Sequence, residues 1–506
     1  MRKYAFRAAH ARPLRFVALL WIASLAAGSL CFATPPSVLF IIVDDLRPEL
    51  GCYGATQIQT PNIDAFARQS LVFDRAYCQA AVCMASRTSM LSGLRPDMRG
   101  IWTNRDVRRD LQDIDYFPAH FRKNGYHSIG IGKIAHNSWE DPRCWSEKHL
   151  TPVNIGYEYR TRAGRKLVER IQQEARDSGL PDPFRDIPKV IRRGMAWESL
   201  DVGDSELGDG QIADLAIAAL DRARERREPL FLAVGFLRPH LPFVAPKKYW
   251  DLYDPEKLPT PTTVAFPDGA PHEDNNRSRE LLTQYRALPP KTPLDTDTTQ
   301  KLVHGYFASV SYVDAQIGRV LGRIHDLDME NDTIVIVTSD HGFHLGDQSM
   351  WGKATNFELS TRVPLLIKTP GMSTAGQRSA SLVELVDLYP TLCDLAGLPK
   401  PEHLQGNSFA NLLADPALDE QKYAFSQYSR ADAIGHSVRC KDFRYTEWRK
   451  IEGGKLVHKA LYDLRAGIVE TQNIADDKSF SDIAGRLSSI LEKERDELIF
   501  DQPPGR

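Results

Sequence analysis

The run Val38-Leu39-Phe40-Ile41-Ile42-Val43 is apolar at odd and even positions alike and stops abruptly at Asp44-Asp45. A strand with that pattern buries both faces, which confines it to the interior of a parallel sheet covered by helices on each side. Short runs of the same kind recur at Ser128 to Gly132, Leu230 to Phe236, Thr333 to Thr338 and Pro364 to Lys368. Helical patterns separate them. Thr60-Pro61 opens one, with Thr at the cap and Pro in the first turn, and Gln300 to His325 is a long amphipathic stretch. Alternating strands and helices predict an α/β fold built on a large, doubly wound, mostly parallel sheet. In such a sheet the functional residues lie just past the carboxyl ends of the strands.

The N-terminus follows another logic. Arg2, Lys3, Arg7, Arg12 and Arg15 precede the apolar run Phe16 to Ala27, and small residues follow up to Cys31-Phe32-Ala33. This is the pattern of a signal peptide over residues 1–33, and the run is short for a membrane span. The expectation is an exported chain, periplasmic or secreted, with no stable membrane insertion once the signal is removed. Residues 34–422 are expected to form the main domain. Two less regular segments, Pro142 to Glu206 and Pro259 to Pro293, read as insertions over its core, the first carrying the basic residues Arg160, Arg162, Arg165, Lys166, Arg192 and Arg193. From about Tyr423 the pattern changes to short β-like pieces, Tyr423 to Tyr428, Ser437 to Arg439, Phe443 to Glu447 and Lys459 to Asp463, followed by a helix from Phe480 to Ile499. Residues 423–506 are therefore expected to form a smaller α+β subdomain with an antiparallel sheet.

A formal net charge of −2 leaves no global field that would attract nucleic acid or a membrane surface, so an anionic ligand must be held by a local site. The cysteines at 31, 52, 78, 83, 144, 393 and 440 show no CxxC pair and no metal-ligand spacing. A bridge between Cys393 and Cys440 stays open.

Chemistry concentrates at the strand ends. Asp44-Asp45 closes one strand, and Asp340-His341-Gly342 closes another. If these ends converge, they offer a carboxylate-rich site for a hard cation such as calcium or magnesium; as isolated pairs they would only cap turns or helices. Cys83-Met84-Ala85-Ser86-Arg87 is followed by Thr88-Ser89-Met90-Leu91-Ser92-Gly93, a helical composition ending in Gly. Cys83 is then at a helix N-terminus, where amide groups and the dipole favour an anion and a lowered thiol pKa is expected. A buried structural cysteine is the plainer alternative.

Cys-x-Ala-Ser-Arg with a following Leu-Ser-Gly element resembles the signature of the type I, formylglycine-dependent sulfatases of the alkaline-phosphatase-like superfamily. Val43-Asp44-Asp45 and Ser339-Asp340-His341-Gly342 resemble two further elements of that family. The likeness runs from about Ser37 to Leu461-Tyr462-Asp463-Leu464. Within the family, several stretches resemble the iduronate-2-sulfatase branch. They are Val43 to Pro48, Leu232 to Phe236 running on to Arg238-Pro239-His240, Tyr306 to Tyr312, Gly132-Lys133-Ile134-Ala135-His136, and Trp351-Gly352-Lys353 with Asn356-Phe357.

The resemblance implies a sulfuric ester hydrolase in which Cys83 is oxidised by a maturase to formylglycine. It implies that Asp44, Asp45, Asp340 and His341 bind Ca2+ together with the modified Cys83. Arg87 would hold the formylglycine hydrate, Lys133 and Lys353 the sulfate oxygens, His240 would be a general acid near the leaving oxygen, and His136 would help remove the hydrate's second proton. The set is chemically coherent. Cationic groups neutralise an anionic ester and the charge that builds in its transition state. The hydrate presents two hydroxyls, one to attack sulfur and one to expel sulfate afterwards, whereas a Ser or Cys would be trapped as a stable adduct. The expected substrate is a sulfated saccharide, a 2-O-sulfated uronate attacked from the chain end.

Three departures stand out. Ala85 replaces a common Pro, Leu94 a common Arg, and Phe343 a Trp of the iduronate branch. Two other readings stay open: a phosphodiester or phosphonate monoester hydrolase of the same superfamily, and a non-catalytic glycan-binding relative.

Overall fold

The structure is a computed structural model that describes residues 35–500 apart from 105–110, 137–139, 153–161, 178–193, 227, 287, 290 and 420–421. The signal-peptide segment and the basic residues Arg160, Arg192 and Arg193 lie outside the described residues.

An eight-stranded sheet forms the centre. Its order is Arg362–Val363, Leu71–Tyr77, Leu365–Lys368, Thr333–Ser339, Ser37–Val43, Leu230–Phe236 and His127–Gly132, with Arg378–Glu384 also paired to Leu71–Tyr77. Four neighbouring strands, Thr333–Ser339, Ser37–Val43, Leu230–Phe236 and His127–Gly132, run parallel. The double-sided burial of the Ser37–Val43 strand divides by parity, as its apolar run requires. Leu39, Ile41 and Val43 enter one core, and Val38, Phe40 and Ile42 enter the other. The helices Gly208–Ala223 and Thr296–Asp326 cover the first face through residues such as Ile212, Ala216, Tyr306 and Val310. The helices Cys83–Ser92, Phe117–Lys123 and Leu388–Ala396 cover the second through Met84, Leu91, Phe117, Phe121 and Tyr389. The doubly wound, mostly parallel architecture is thus observed.

Details differ from the expectation. The strand at Leu365–Lys368 is antiparallel to both neighbours. A run buried on both faces signals depth in the sheet, not direction. Leu71–Tyr77 and Arg378–Glu384 join the sheet without having been read as strands, because Asp74-Arg75 and alternating polar residues interrupt their apolar character. The helix after Thr60 spans Pro61–Ala67, but the Thr60 hydroxyl does not cap it. The carboxylate of Asp314, from the long helix, accepts the amides of Asn62 and Ile63 instead. Cys393 and Cys440 are both free.

At the C-terminal end, Ala424–Arg430, Ala433–Arg439, Phe443–Lys450 and Leu456–Asp463 form an antiparallel sheet in sequence order, backed by the helix Ser481–Phe500. Buried Glu358 fastens this sheet to the large one. Its carboxylate accepts hydrogen bonds from Arg439 at 3.0 Å, Arg444 at 2.7 Å and Tyr77 at 2.9 Å. Burial alone would raise the Glu358 pKa, but the two guanidinium groups hold it at about 2. Among the described residues, no helix is long and apolar enough to cross a membrane.

Candidate active site

Register brings the acids together. Val43 pairs with Ser339 in adjacent parallel strands, so Asp44-Asp45 and Asp340-His341 leave the sheet side by side. Asp45 turns out of the strand with φ of 64°, a left-handed conformation that Asp tolerates better than most residues. That turn is held in place. The Asp45 amide donates to Asp340 Oδ1 at 3.2 Å, and the Leu46 amide donates to Ser339 Oγ at 3.0 Å. Asp44, Asp45, Asp340 and His341 are all fully buried. One ligand atom from each of Asp44, Asp45, Cys83 and His341 lies within 4.8 Å of the others. His341 Nε2 is 3.3 Å from Cys83 Sγ and 3.5 Å from carboxylate oxygens of both Asp45 and Asp340. Buried oxygen-rich donors with one imidazole suit a hard divalent cation, so the residues present fit the metal that the family resemblance implies.

Cys83 is the first residue of the helix Cys83–Ser92, as expected, and Gly93 closes it at φ of 71°. The expected depression of the thiol pKa is not found. Burial raises it well above the usual range, and Lys133 and Lys353 only partly offset this. The helix end sits on buried carboxylates, so the thiol itself is a poor nucleophile here.

Arg87, one turn along the same helix, is buried and organises the acids. Its guanidinium donates to Asp340 Oδ2 at 2.9 Å, Asp44 Oδ1 at 3.1 Å, the Ile134 carbonyl at 3.1 Å and the Lys133 carbonyl. The Lys133 carbonyl can approach because Gly235 on the neighbouring strand has no side chain. A Cβ there would lie 2.0 Å from that oxygen.

The remaining residues arrive from the next two strands and a loop. Lys133 follows the strand His127–Gly132 and pairs with Asp44. Lys353 follows the short strand Trp351–Gly352 and pairs with Asp45 at 2.8 Å. Burial opposes the charge of each lysine, yet Asp44 and Asp45 respectively hold both ammonium groups above the usual lysine range. Burial pushes Asp44 up, but Lys133, His240 and Arg87 overcome it and keep the carboxylate well below its usual range. Asp45 lies above its usual range because burial and the neighbouring Asp44, Glu280 and Asp340 outweigh Lys353. His240 follows the strand Leu230–Phe236, with Nδ1 2.6 Å from the Leu241 carbonyl. Burial and the nearby Lys353 depress its pKa well below the usual histidine value. His136 is held at about pKa 4 by burial and by Lys133.

Asp44, Cys83, Lys133, His136, His240 and Lys353 all face one cleft of about 1100 Å³. Its wall includes residues that the sequence did not single out. Glu280 bridges His240, at 3.4 Å, and Lys353, at 3.0 Å. Arg238 donates to the His240 carbonyl at 2.7 Å. Asp209 accepts the amides of Leu237 and Arg238 at 2.8 and 2.9 Å, fixing the loop that carries His240. Trp102, Arg279, Tyr428 and Arg430 complete the rim, so the Pro259 to Pro293 insertion and the C-terminal sheet both shape the opening. No spacing rule marks Glu280 or Asp209; each is a lone acid on a helix until the fold places it.

Comparison with known proteins identifies the family. The Sulfatase family matches residues 36–398, and the family described as N-sulphoglucosamine sulphohydrolase, C-terminal, matches residues 346–497. Human iduronate 2-sulfatase is 32% identical over 92% of this chain and 97% of its own length. A phosphonate monoester hydrolase of Agrobacterium radiobacter superposes with a TM-score of 0.70 at 23% identity, covering 92% of this chain and 96% of its own. A 2-O GAG sulfatase superposes with a TM-score of 0.70 at 21% identity, covering 92% of this chain and 93% of its own. With its acidic strand ends, buried cysteine and paired lysines gathered on the matched segment, the chain belongs to the sulfatase family and is a sulfuric ester hydrolase.

Proposed function

We propose that this enzyme removes a 2-O-sulfate from a uronate of a sulfated glycan, acting at the chain end, through a formylglycine made from Cys83 by a maturase that accepts Ala85. The observation that carries this reading is the meeting of Cys83, Lys133, Lys353, His136 and His240 at one cleft beside the buried carboxylates. The 32% identity to human iduronate 2-sulfatase over nearly the whole chain supports the substrate class.

Asp44, Asp45, Asp340 and His341 would hold Ca2+ beside residue 83, and the ion would supply Lewis-acid polarisation of a sulfate oxygen. The aldehyde hydrate at residue 83 would supply one oxygen to attack sulfur and a second hydroxyl for the later release of sulfate. The other contributions come from the chain. Lys133 and Lys353 are charged and lie at the cleft floor, where they neutralise the ester's anion and the charge growing on its equatorial oxygens. Arg87 fixes Asp44 and Asp340 relative to the helix that presents residue 83. His136 is neutral above about pH 4 and is thus able to accept the second hydroxyl's proton at neutral pH. His240 Nδ1 is engaged by the Leu241 carbonyl, which leaves Nε2 toward Glu280 and the cleft. Because the ring's pKa is depressed and Nδ1 holds its proton against that carbonyl, delivery of a proton to the departing alcohol oxygen requires that Nε2 first be protonated, a form that the facing Glu280 carboxylate favours.

The N-terminal pattern of basic and apolar residues supports export to the periplasm or beyond. Residues 34–422 then act as the catalytic domain, with 423–506 as a subdomain that lends Tyr428 and Arg430 to the rim.

The test is a desulfation screen with matured enzyme on defined saccharides at equal concentration. The set contains terminal and internal 2-O-sulfated uronates, 6-O-sulfated glucosamine, a phosphodiester and a phosphonate monoester. Highest kcat/KM is expected on the terminal 2-O-sulfated uronate. Preference for another sulfated sugar would overturn the specificity alone, while preference for the phosphodiester or phosphonate would overturn the reaction class for this chain's main activity.

A further inference from the structure

Among the described residues outside the catalytic cleft, one group of side chains has the composition and spacing of a metal site. His272 and Glu273 lie in the short helical turn His272–Asp274, and His458 lies in the strand Leu456–Asp463 of the C-terminal sheet. One ligand atom from each lies within 4.8 Å of the others. His272 Nδ1 is 3.2 Å from Glu273 Oε2, and His458 Nε2 is 3.7 Å from Glu273 Oε1. The two imidazoles thus meet the two oxygens of a single carboxylate.

A second observation points the same way. Glu273 is only 8% exposed, and its Oε2 is buried without a hydrogen-bond partner. His272 Nδ1 approaches that oxygen without making a hydrogen bond to it, and a buried carboxylate oxygen in that state is costly unless something positive meets it. Both imidazoles are accessible, with side chains 72% exposed at His272 and 41% at His458.

We propose that His272, Glu273 and His458 hold a second divalent cation of the zinc class, separate from the catalytic centre. Two imidazoles and one carboxylate favour zinc over calcium, which prefers an all-oxygen shell. Solvent supplies the fourth ligand on the exposed side.

The position suggests what such an ion does. The Glu273 carbonyl accepts a hydrogen bond from Arg430 Nε at 2.6 Å, and Arg430 Nη2 donates to the Ala354 carbonyl at 3.1 Å, next to Lys353. Arg430 lines the cleft, whereas His272 and His458 do not. A metal joining the 272–274 turn to the C-terminal sheet therefore braces the cleft wall from behind. Its role is structural.

The experiment titrates Zn2+ into the full-length enzyme saturated with Ca2+, by calorimetry, with the thermal midpoint recorded in parallel. Wild type is expected to bind Zn2+ stoichiometrically and to melt at a higher temperature with it, because the ion binds only the folded chain. His272→Ala and His458→Ala should each lose both effects while keeping their activity in zinc-free buffer. Glu273→Gln, nearly equal in shape, should lose them too, and it decides the matter if a histidine variant folds poorly. Zinc uptake that is unchanged in the variants would place the ion elsewhere and overturn the proposal. So would the lack of uptake by wild type.

Discussion

Replacing Cys83 with Ala is expected to lower kcat by on the order of 10⁴–10⁶-fold, the scale seen when a covalent nucleophile is removed. In the proposed mechanism the attacking group is the oxidised form of residue 83, and a thiol buried among carboxylates with a raised pKa is a poor replacement for it. Cys83→Ser separates the two halves of the mechanism. A serine oxygen can attack sulfur once but has no second hydroxyl to expel sulfate. The Ser variant should therefore release at most one equivalent of alcohol and keep a sulfated side chain, detectable by mass. Continued turnover by Cys83→Ser, or near-normal rates in Cys83→Ala, would remove residue 83 from the chemistry.

Removing divalent cations with a chelator should lower kcat by on the order of 10²–10³-fold or more, with recovery on adding Ca2+. The reason lies in charge balance. Three buried carboxylates, Asp44, Asp45 and Asp340, face the cations Arg87, Lys133 and Lys353. The proposed mechanism needs Lys133 and Lys353 at the sulfate. With a divalent cation on the carboxylates, both ammonium groups are free to turn toward the ester without leaving buried anions uncompensated. The same treatment should lower the thermal midpoint, since the site is part of the fold. Full activity after exhaustive chelation, verified by elemental analysis, would show that the acids serve only Arg87 and the lysines.

Much of this was legible in the chain. Runs apolar at every position announced strands buried on both faces, and the strand Ser37–Val43 divides its side chains between two cores as that pattern demands. Residues just past such runs, Asp44, Lys133, His240 and Asp340, had to lie at one edge of the sheet. Other features had no local signature. The strand Leu71–Tyr77 carries Asp74 and Arg75 in its middle; both stay partly exposed, and Arg378 pairs with Asp74. The reversed direction of Leu365–Lys368 is set by its connections, not its composition. At the Cys83 thiol a helix N-terminus and a burial penalty compete, and only the fold shows that burial wins. Glu280, Asp209 and Glu358 act through partners far away in sequence, so no spacing rule could have selected them.

The central claim is that Cys83 is the precursor of the nucleophile. The mass of the tryptic peptide carrying Cys83, in enzyme purified active from its native host, tests it most directly. The account predicts a peptide lighter than the thiol form by the exchange of hydrogen sulfide for oxygen, reactive toward aldehyde reagents. An active enzyme whose Cys83 is wholly unmodified would contradict it.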